Sequence, residues 1–377
     1  MLKNWLKKMY RRVGKNSPFD CDFELQKKYL YKQKEPKNNI ERSFFQYKAQ
    51  MKLCGWWRKV LVNIGAIPFL VFYYFKKSSK KIIVNKADAV FVRDGLPCNV
   101  MQESLRKEFF VIEVDAIEGN KLTSRDRRYI FKLSLKHPFS WLFLLKTIIK
   151  IMRYRWIIDT YNPKALIVCN EYSFTSSLLT EFCNQNDVEL INVMHGEKLF
   201  FIRDSFFKFN RCYIWSEFYK ELFTELRADS NQFIVEIPPS LKFASVEAEK
   251  TVDYTYYLQM QKGEELAKIV ETLSAISKRG DRVAVRPHPR YTNLDELKAL
   301  INDVHIEIES CKEITIENSI LRTKNVISLY STVLLQAYIN GVNIVIDDIS
   351  NKDDYLKLVN LKYVMLNAEH KLLSNIE

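Results

Sequence analysis

The sequence predicts an α/β fold in which two Rossmann-like, doubly wound lobes follow a basic, mainly helical N-terminal arm. Three observations predict it. Short apolar runs alternate with helical patterns from residue 82 onward, and this alternation restarts after a polar stretch near residue 245. The excess positive charge is confined to residues 1–81, which hold 20 Lys and Arg against 5 Asp and Glu. Short apolar strands separated by helices imply a mostly parallel sheet covered on both faces.

The chain therefore divides into three predicted segments: an arm at 1–81, an N-terminal lobe at 82–245 and a C-terminal lobe at 246–377. A length of 377 residues with 47% hydrophobic residues is enough for two cores. The boundary is expected where Pro238-Pro239 gives way to a charged stretch that ends near Thr251.

Each lobe has its own predicted series of elements. In the N-terminal lobe, strands are expected at 87–92, 109–114, 165–169, 189–194, 212–215 and 232–236. Helices are expected there at 124–161, with a break near His137-Pro138, and at 175–184 and 217–227. In the C-terminal lobe, strands are expected at 253–259, 282–286, 305–309, 325–328 and 342–347, and helices at 264–278, 294–302 and 332–340.

The arm combines basic residues with Trp and Tyr, which suits an anionic membrane surface. Its segment at 60–75 is apolar, but Asn63, Gly65 and Pro68 interrupt it and it is shorter than a usual spanning helix. A membrane-surface helix, a helix packed on the protein and a membrane span are the three alternatives.

Several classes of protein are disfavoured. Seven cysteines without a CxxC pair indicate reduced core thiols and no zinc cluster. The first twelve residues are basic and amphipathic, unlike a signal peptide. The body is nearly neutral and has no recognised nucleic-acid-binding module, so we expect no nucleic-acid partner. Neither GxGxxG nor a Walker loop is present.

Two strand ends of the C-terminal lobe carry groups that bind phosphate. Arg286-Pro287-His288-Pro289-Arg290 closes one strand, and Ser328, Ser331 and Thr332 precede a helix. Guanidinium forks, an imidazole, hydroxyls and helix N-terminal amides all bind phosphate, and ligands of open sheets lie beyond the carboxyl ends of the strands. The expected phosphate-binding residues are Arg286, His288, Pro289, Arg290, Ser328, Ser331 and Thr332. For Arg286 and Arg290 the alternative is a solvated surface charge.

The N-terminal lobe offers a proton acceptor. The strand at 189–194 ends in His195-Gly196-Glu197, and the preceding strand ends in Glu171. An imidazole can take a proton from a sugar or polyol hydroxyl near neutral pH, so His195 is a candidate general base. Glu171 is expected to orient that ring or to act as the base itself, and Glu197 is a third candidate. Asp94, after the first strand, is held in reserve.

These residues resemble motifs of two-lobed glycosyltransferases of the GT-B fold. His288-Pro289 and the downstream Ser331-Thr332 look like the His-Pro and Ser-Ser/Thr motifs of bacterial sialyltransferases and Kdo transferases. His195-Gly196, combined with the same two motifs, is also similar to the CDP-glycerol glycerophosphotransferases of teichoic-acid synthesis. The resemblance covers roughly residues 82–350. It departs at Met194-His195-Gly196, where sialyltransferases tend to have an acidic pair before the Gly, and at Leu329, where the teichoic-acid family usually has Asp.

The resemblance implies a metal-independent glycosyltransferase without a cofactor. A nucleotide-sugar donor, with a CMP-sugar favoured, would bind the C-terminal lobe through His288, Ser331 and Thr332. A glycan or lipid-linked glycan acceptor of capsule or O-antigen type would bind the N-terminal lobe, where His195 matches the proposed base of the teichoic-acid family. Such an enzyme is expected in the cytoplasm, peripherally attached to the inner face of the bacterial cell membrane. A CDP-polyol phosphotransferase and a non-catalytic membrane scaffold are the alternatives, and a homodimer is left open.

Overall fold

The computed structural model describes residues 17–76, 86–115, 119, 121–244, 248–301 and 305–376. These residues form two compact units. The first contains the described residues up to His195 together with Phe200–Pro238, and the second contains Gly196–Leu199 together with the described residues from Pro239 onward. The expected lobe boundary at 245/246 and the basic runs at 1–12 and 77–81 lie outside the described residues.

The described part of the N-terminal arm, residues 17–76, is mainly helical, as the sequence predicts. Its helices are α1 (Phe23–Lys32), α2 (Asn39–Lys52) and α3 (Trp56–Phe75). Asp22 and Asn38 cap α1 and α2 because their side chains accept backbone N–H groups three residues later. Helix α2 is packed within the first unit, where the hydroxyl of Ser43 accepts the Leu178 N–H at 2.7 Å. Part of the arm is therefore built into this unit.

In the described part of the first unit, six parallel strands form one sheet in the order β2-β1-β3-β4-β5-β6. The strands are β1 (Ala89–Val92), β2 (Val111–Val114), β3 (Ala165–Val168), β4 (Glu189–Val193), β5 (Arg211–Ile214) and β6 (Phe233–Val235). The helices are α4 (Glu103–Glu108), α5 (Ser124–Lys136), α6 (Trp141–Tyr161), α7 (Ser176–Asn184) and α8 (Glu217–Glu225). Strands β1 and β3 are buried along their whole length, as expected for a parallel sheet covered on both faces.

The second unit contains another parallel sheet, with six strands among the described residues in the order β12-β11-β10-β7-β8-β9. The strands are β7 (Val252–Tyr257), β8 (Val283–Arg286), β9 (Ile306–Ile308), β10 (Thr323–Ser328), β11 (Asn343–Ile346) and β12 (Lys371–Leu372). The helices are α9 (Glu264–Lys278), α10 (Leu294–Ile301), α11 (Ile316–Leu321), α12 (Thr332–Ile339) and α13 (Lys352–Asn360). Leu266, Ile269 and Leu273 of α9 pack with Val285 of β8 in the core of this unit.

The strand orders show where each sheet is expected to bind a ligand. In the first sheet the chain direction across the sheet reverses between β1 and β3, and in the second it reverses between β7 and β10. At such a switch point the connections leave in opposite directions and open a crevice beyond the carboxyl ends of the strands. These two sheets confirm the predicted pair of Rossmann-like lobes.

Helix α3 contains the apolar segment at 60–75, for which the sequence left open a membrane-surface helix, a helix packed on the protein and a membrane span. Among the described helices, it is the one long and apolar enough to cross a membrane, judged by length and composition. Asn63 is buried in this helix, where its Oδ1 atom accepts the Tyr47 hydroxyl at 3.0 Å and the Leu142 N–H at 3.2 Å. These bonds attach one side of α3 to α2 and α6, while most of the helix surface remains exposed.

Candidate functional site

His288 lies in a tight turn directly after β8. Its N–H donates to Oγ1 of Thr292 at 2.8 Å, and its ring stacks on Tyr291 with 4.5 Å between centroids. Nδ1 accepts the backbone N–H of Arg290 at 3.1 Å. Burial and the charge of Arg290 lower the pKa of His288. The ring is therefore neutral near pH 7 with its proton on Nε2, because Nδ1 is already an acceptor.

Arg286 is not placed as a free guanidinium at the strand edge. Its side chain is buried, its Nη1 atom bonds Oε2 of Glu309 at 2.9 Å, and Nη2 donates to the Ile314 carbonyl at 2.8 Å. Glu309 also accepts Ser319 at 2.6 Å and Arg322 at 2.6 Å. The structure thus uses Arg286 in an internal ion-pair network, whereas Pro289 and Arg290 are exposed beside His288.

The hydroxyls after β10 have two different placements. Ser328 is completely buried, and its hydroxyl donates to the Tyr257 carbonyl at 3.0 Å, which joins β10 to β7 at the switch point. Ser331 caps α12, since its Oγ accepts the Val333 N–H at 3.2 Å, and Thr332 is the first residue of the helix. Ser331 and Thr332 remain partly exposed, so these two can contact a ligand and Ser328 cannot.

The His288 turn and the Ser331 turn lie on the same edge of the sheet. Strand β7 separates β8 from β10, so the two turns start about 10 Å apart at the usual strand spacing. The loop from Leu258 to Gly263 leaves β7 between them, and Gly263 precedes α9 with φ of 56°. Sequence reasoning missed this loop as part of the site. A glycine between a strand and a helix was the signal that could have indicated it.

Glu197 belongs with the second unit and not with the unit that contains His195. Its backbone carbonyl accepts the Tyr330 hydroxyl at 3.4 Å. Burial, and then the charge of Glu197, raise the pKa of Tyr363 well above its ordinary value. The Tyr363 hydroxyl in turn donates to the Ser331 carbonyl at 3.3 Å. Glu197 is therefore a neighbour of the Ser331 turn within the second unit.

In the first unit, His195 follows β4 and Glu171 follows β3. Nδ1 of His195 is 3.7 Å from Oε1 of Glu171. The other oxygen of Glu171 accepts Nδ2 of Asn192 at 3.2 Å, and Oδ1 of Asn192 accepts the Asn170 N–H at 2.7 Å. The carboxylate is completely buried, whereas the side chain of His195 keeps 27% of its surface exposed. A buried acid that faces one ring nitrogen fixes the orientation of the imidazole.

Asp94 lies in the turn after β1, on the other side of the switch point from Glu171. Burial and the charges of Glu171 and Asp94 raise the pKa of Tyr172 to about 12. Burial lowers the pKa of Lys150 on α6 to about 8, against the opposing effect of Asp94. Sequence reasoning missed Lys146 and Lys150, although two lysines on consecutive turns of the mainly apolar first half of α6 were visible in the sequence.

The described residues contain no group of three or more His, Cys, Asp or Glu side chains placed to hold a metal ion. Asp347, which follows β11, is used internally, since it accepts the N–H groups of Ile349 and Ser350 at 2.9 Å each. The groups that can meet a substrate are hydroxyls, imidazoles and partly exposed cations.

Comparison with known proteins gives one family match. Residues 250–345 match the family model described as alpha-2,8-polysialyltransferase. This span contains β7 to β10, and it includes both His288 and the Ser331-Thr332 pair. No curated protein sequence gives a significant match to the chain.

Three solved structures illustrate what the whole chain is similar to. The UDP-GlcNAc 2-epimerase from Neisseria meningitidis bound to UDP-GlcNAc is 12% identical, with a TM-score of 0.44 over 76% of this chain and 88% of that chain. A putative UDP-N-acetylglucosamine 2-epimerase from Listeria monocytogenes is 13% identical, with a TM-score of 0.43 over 70% and 79%. TarM from S. aureus is 13% identical, with a TM-score of 0.32 over 50% and 42%.

The family match falls on the unit whose strand ends hold His288 and the Ser331 turn. Each unit is a parallel α/β sheet with flanking helices, which is the architecture of a Rossmann-like lobe. This match and the two Rossmann-like sheets support a glycosyltransferase of the GT-B type that acts in the synthesis of surface polysaccharide.

Proposed function

We propose that this glycosyltransferase moves a sugar from a nucleotide-activated donor, with a CMP-sugar favoured, to a growing lipid-linked surface glycan of capsule or O-antigen type. The observation that carries the proposal is the polysialyltransferase match over residues 250–345, because it spans both donor motifs. Bacterial sialyltransferases, which those motifs resemble, hold the CMP part of their donor with a His-Pro and a Ser-Ser/Thr motif.

The donor side of the proposal rests on groups that can bind phosphate. Nε2–H of His288 can donate to a phosphate oxygen because Nδ1 is occupied by the Arg290 amide. The hydroxyl hydrogen of Ser331 can also donate, because the bond to Val333 uses only a lone pair of Oγ. Thr332 and the first amides of α12 add further donors. These groups stabilise the negative charge that develops on the nucleotide phosphate as the glycosidic C–O bond breaks.

The acceptor side of the proposal rests on His195. In a direct displacement, the acceptor hydroxyl attacks the anomeric carbon, its proton moves to Nε2 of His195, and the nucleotide leaves with both electrons of the broken bond. Glu171 faces Nδ1 at 3.7 Å and stabilises the imidazolium that forms. Glu171 is a positioning residue in this scheme, because its carboxylate is completely buried.

Membrane attachment is part of the same proposal. A lipid-linked acceptor is held at the inner face of the membrane, and the arm combines aromatic residues with an excess of Lys and Arg. We propose that the enzyme is cytoplasmic and peripheral, with the arm facing anionic lipid.

The first test uses the full-length chain and separates donors by affinity. Thermal shift and calorimetry with CMP, CDP, UDP and GDP should show stabilisation by CMP, because a ligand of the folded state raises its stability. His288→Ala should remove this shift. The matched control is His370→Ala, whose Nδ1 contacts only the Ala368 carbonyl in a distant turn. Stabilisation by UDP alone would replace CMP by UDP as the donor nucleotide.

A CDP-polyol phosphotransferase is the second candidate, favoured by the combination of His195-Gly196 with Tyr330-Ser331-Thr332. Both reactions release CMP, so the product decides between them. A sugar transferred from a CMP-sugar adds no phosphorus to the acceptor, whereas a polyol phosphate carries one phosphorus for each unit added. Mass spectrometry of the product after incubation with each donor measures this difference. If neither donor is used and His195→Ala and His288→Ala change no cellular glycan, the chain is a scaffold instead.

A further inference from the structure

The outward face of α5 is an unusual combination of apolar and basic side chains. Ile130 and Leu133 are buried on the inner side of this helix. On the opposite side, Phe131 is 55% exposed, Leu135 is 67% exposed, and Phe139 just beyond the helix is 80% exposed. The spacing of four residues places Phe131 and Leu135 on one face of α5. The exposed cations of the helix are Arg125, Arg128, Lys132 and Lys136.

Helix α3 presents a second apolar face. The exposed large side chains of α3 are Trp56, Trp57, Leu61, Ile64, Val71, Phe72 and Phe75, each at 49% or more. Arg58 and Lys59 are exposed at the start of the same helix. The buried side, with Asn63 and Ala66, is turned toward the rest of the unit. A stripe of this length would cost free energy in water, because each large apolar side chain left exposed forgoes about 1.5 to 3 kcal/mol of burial.

The two helices are neighbours in the first unit. At one end, the Tyr74 hydroxyl near the end of α3 donates to the Arg127 carbonyl near the start of α5 at 3.5 Å. At the other end, Asn63 of α3 bonds Leu142, which follows the end of α5 by only a few residues. Helices α3 and α5 therefore run in opposite directions, and both pack on α6.

The solvent-exposed charged side chains of α3 and α5 are all positive. Helix α3 contains no Asp or Glu, and the one carboxylate of α5, Asp126, is buried in a bond with Arg155 at 2.9 Å. An isologous contact with a second copy would place the same cations opposite each other, which is unfavourable. Cations beside exposed aromatic and aliphatic side chains suit anionic headgroups above acyl chains.

We propose that α3 and α5 together form a lipid-contact face that lies in the surface of an anionic bilayer. This face is defined by the outward residues of both helices named above, and it extends the membrane contact beyond the N-terminal arm. The proposal deepens the proposed function, which puts the acceptor at a membrane. Phe131, Leu135 and Phe139 insert at the level of the acyl-chain boundary, while Arg128, Lys132 and Lys136 stay at the phosphates.

The test is sedimentation of the full-length protein with vesicles of phosphatidylcholine alone and with 30% phosphatidylglycerol, on the order of a bacterial anionic fraction. Phe131→Ser with Leu135→Ser should lower partitioning to anionic vesicles about tenfold or more, because two side chains no longer leave water. The control is Leu356→Ser with Val359→Ser, two similarly exposed residues of α13 in the second unit. This control should bind like the wild type.

Variants that remove positive charge test the basic part of the lipid-contact face. Lys132→Gln with Lys136→Gln should weaken binding to anionic vesicles and reduce its salt dependence, whereas Lys268→Gln with Lys278→Gln on α9 should not. Unchanged vesicle binding by both α5 variants would overturn the proposal. Loss of self-association, measured by light scattering, without any change in lipid binding would also overturn it by making the face a protein interface.

Failure of this proposal is distinguishable from failure of the proposed function. Transfer to a water-soluble acceptor, assayed without lipid, should be equal in the wild type and in the α5 variants, since none of these residues touches the candidate site. Lipid binding that maps to α5 in a protein without transferase activity would leave the lipid-contact face standing and remove the proposed reaction. Transferase activity without lipid binding would remove the lipid-contact face and leave the proposed reaction standing.

Discussion

Nδ1 of His195 lies 3.7 Å from Oε1 of Glu171, a carboxylate that is completely buried and whose second oxygen is held by Asn192. The acid thus meets the ring from inside the unit, while the ring itself is partly exposed. This arrangement orients Nδ1 toward the buried carboxylate. It also places the two groups at the ends of neighbouring strands, β3 and β4.

Removing the imidazole should separate binding from turnover. His195→Ala should lower kcat by about a hundredfold or more, the usual scale for a lost general base, with little change in donor affinity. Steady-state kinetics and donor titration by calorimetry measure the two quantities. A fall in donor affinity equal to the fall in kcat would place His195 in donor binding instead.

The role of Glu171 beside His195 can be tested separately. Glu171→Gln keeps the shape of the side chain and removes its charge, so the imidazolium formed in the reaction loses its stabilisation. We expect a moderate loss of kcat and a shift of the acidic limb of the pH–rate profile to lower pH. An activity as low as that of His195→Ala, together with loss of the acidic limb of the pH–rate profile, would make Glu171 the base itself.

The pH dependence of donor affinity tests the protonation state of His288. Burial and Arg290 lower its pKa, so the ring should bind donor as a neutral Nε2–H donor. Donor affinity should therefore be flat from about pH 7 to pH 8 and fall as the solution becomes more acidic than the lowered pKa, because protonated Nδ1 cannot accept the Arg290 amide. His288→Gln should recover part of the affinity lost in His288→Ala. A steady rise of affinity toward acidic pH would show that the imidazolium binds instead.

The cap of α12 allows helix stability and donor binding to be separated. Ser331→Ala should lower the free energy of unfolding by about 1 kcal/mol, because the Val333 N–H loses its acceptor. Ser331→Asp restores a cap but adds a negative charge, so donor Kd should rise about tenfold or more while stability stays near wild type.

A matched control exists in the first unit. Asn38 caps α2 by accepting the Glu41 N–H at 2.9 Å, and Asn38→Asp should leave both stability and donor Kd nearly unchanged. An unaltered Kd in Ser331→Asp would mean that no donor phosphate lies at this turn.

Arg286 should behave as a structural residue. Arg286→Ala leaves Glu309 buried with fewer partners, so we expect a loss of about 3 kcal/mol or more in the free energy of unfolding. Urea denaturation measures this loss, and Arg286→Met with Glu309→Gln should recover part of it. Unchanged stability combined with lost donor affinity would return Arg286 to the donor phosphate.

The lowered pKa of Lys146 predicts that the free energy of unfolding depends on pH. Burial lowers its pKa from 10.5 to about 8, and its Nζ lies 4.9 Å from the ring centre of Phe174. The unfolded chain binds this proton more tightly, so stability should be lowest below pH 8 and should rise as the pH increases from about 8 to about 10.5. Lys146→Met should raise the free energy of unfolding at pH 7 by about 2 kcal/mol and flatten this slope in urea titrations. An equal slope in both proteins would refute the assignment.

Local patterns predicted much of the fold. Helix α9 at Glu264–Lys278 and the break between α5 and α6 near His137-Pro138 agree with the sequence prediction, because strong periodicity and a proline act over a few residues. Short elements such as α11 (Ile316–Leu321) and α13 (Lys352–Asn360) were missed. They are only six and nine residues long, and tertiary packing decides the structure of such short segments.

The candidate site was less predictable, because its geometry depends on partners far apart in sequence. The sequence around Arg286 does not indicate that its guanidinium pairs with Glu309, which directly follows the neighbouring strand β9. Glu197 was grouped with His195 by sequence proximity, yet it belongs with Tyr330 in the second unit. The position of His288, Ser331 and Thr332 just beyond the ends of β8 and β10 was predicted, because strand ends are visible in a sequence even when their neighbours are not.

The buried amide of Asn63 has a consequence for how the enzyme is held in the cell. Because this side chain bonds both α2 and α6, detaching α3 would leave polar groups without partners, a cost of about 1 to 3 kcal/mol for each group. The helix is therefore fastened to its own unit more firmly than an independent anchor would be. Under the proposed attachment to a bilayer, we expect reversible recruitment, in which an alkaline or high-salt wash recovers an intact, active enzyme without detergent.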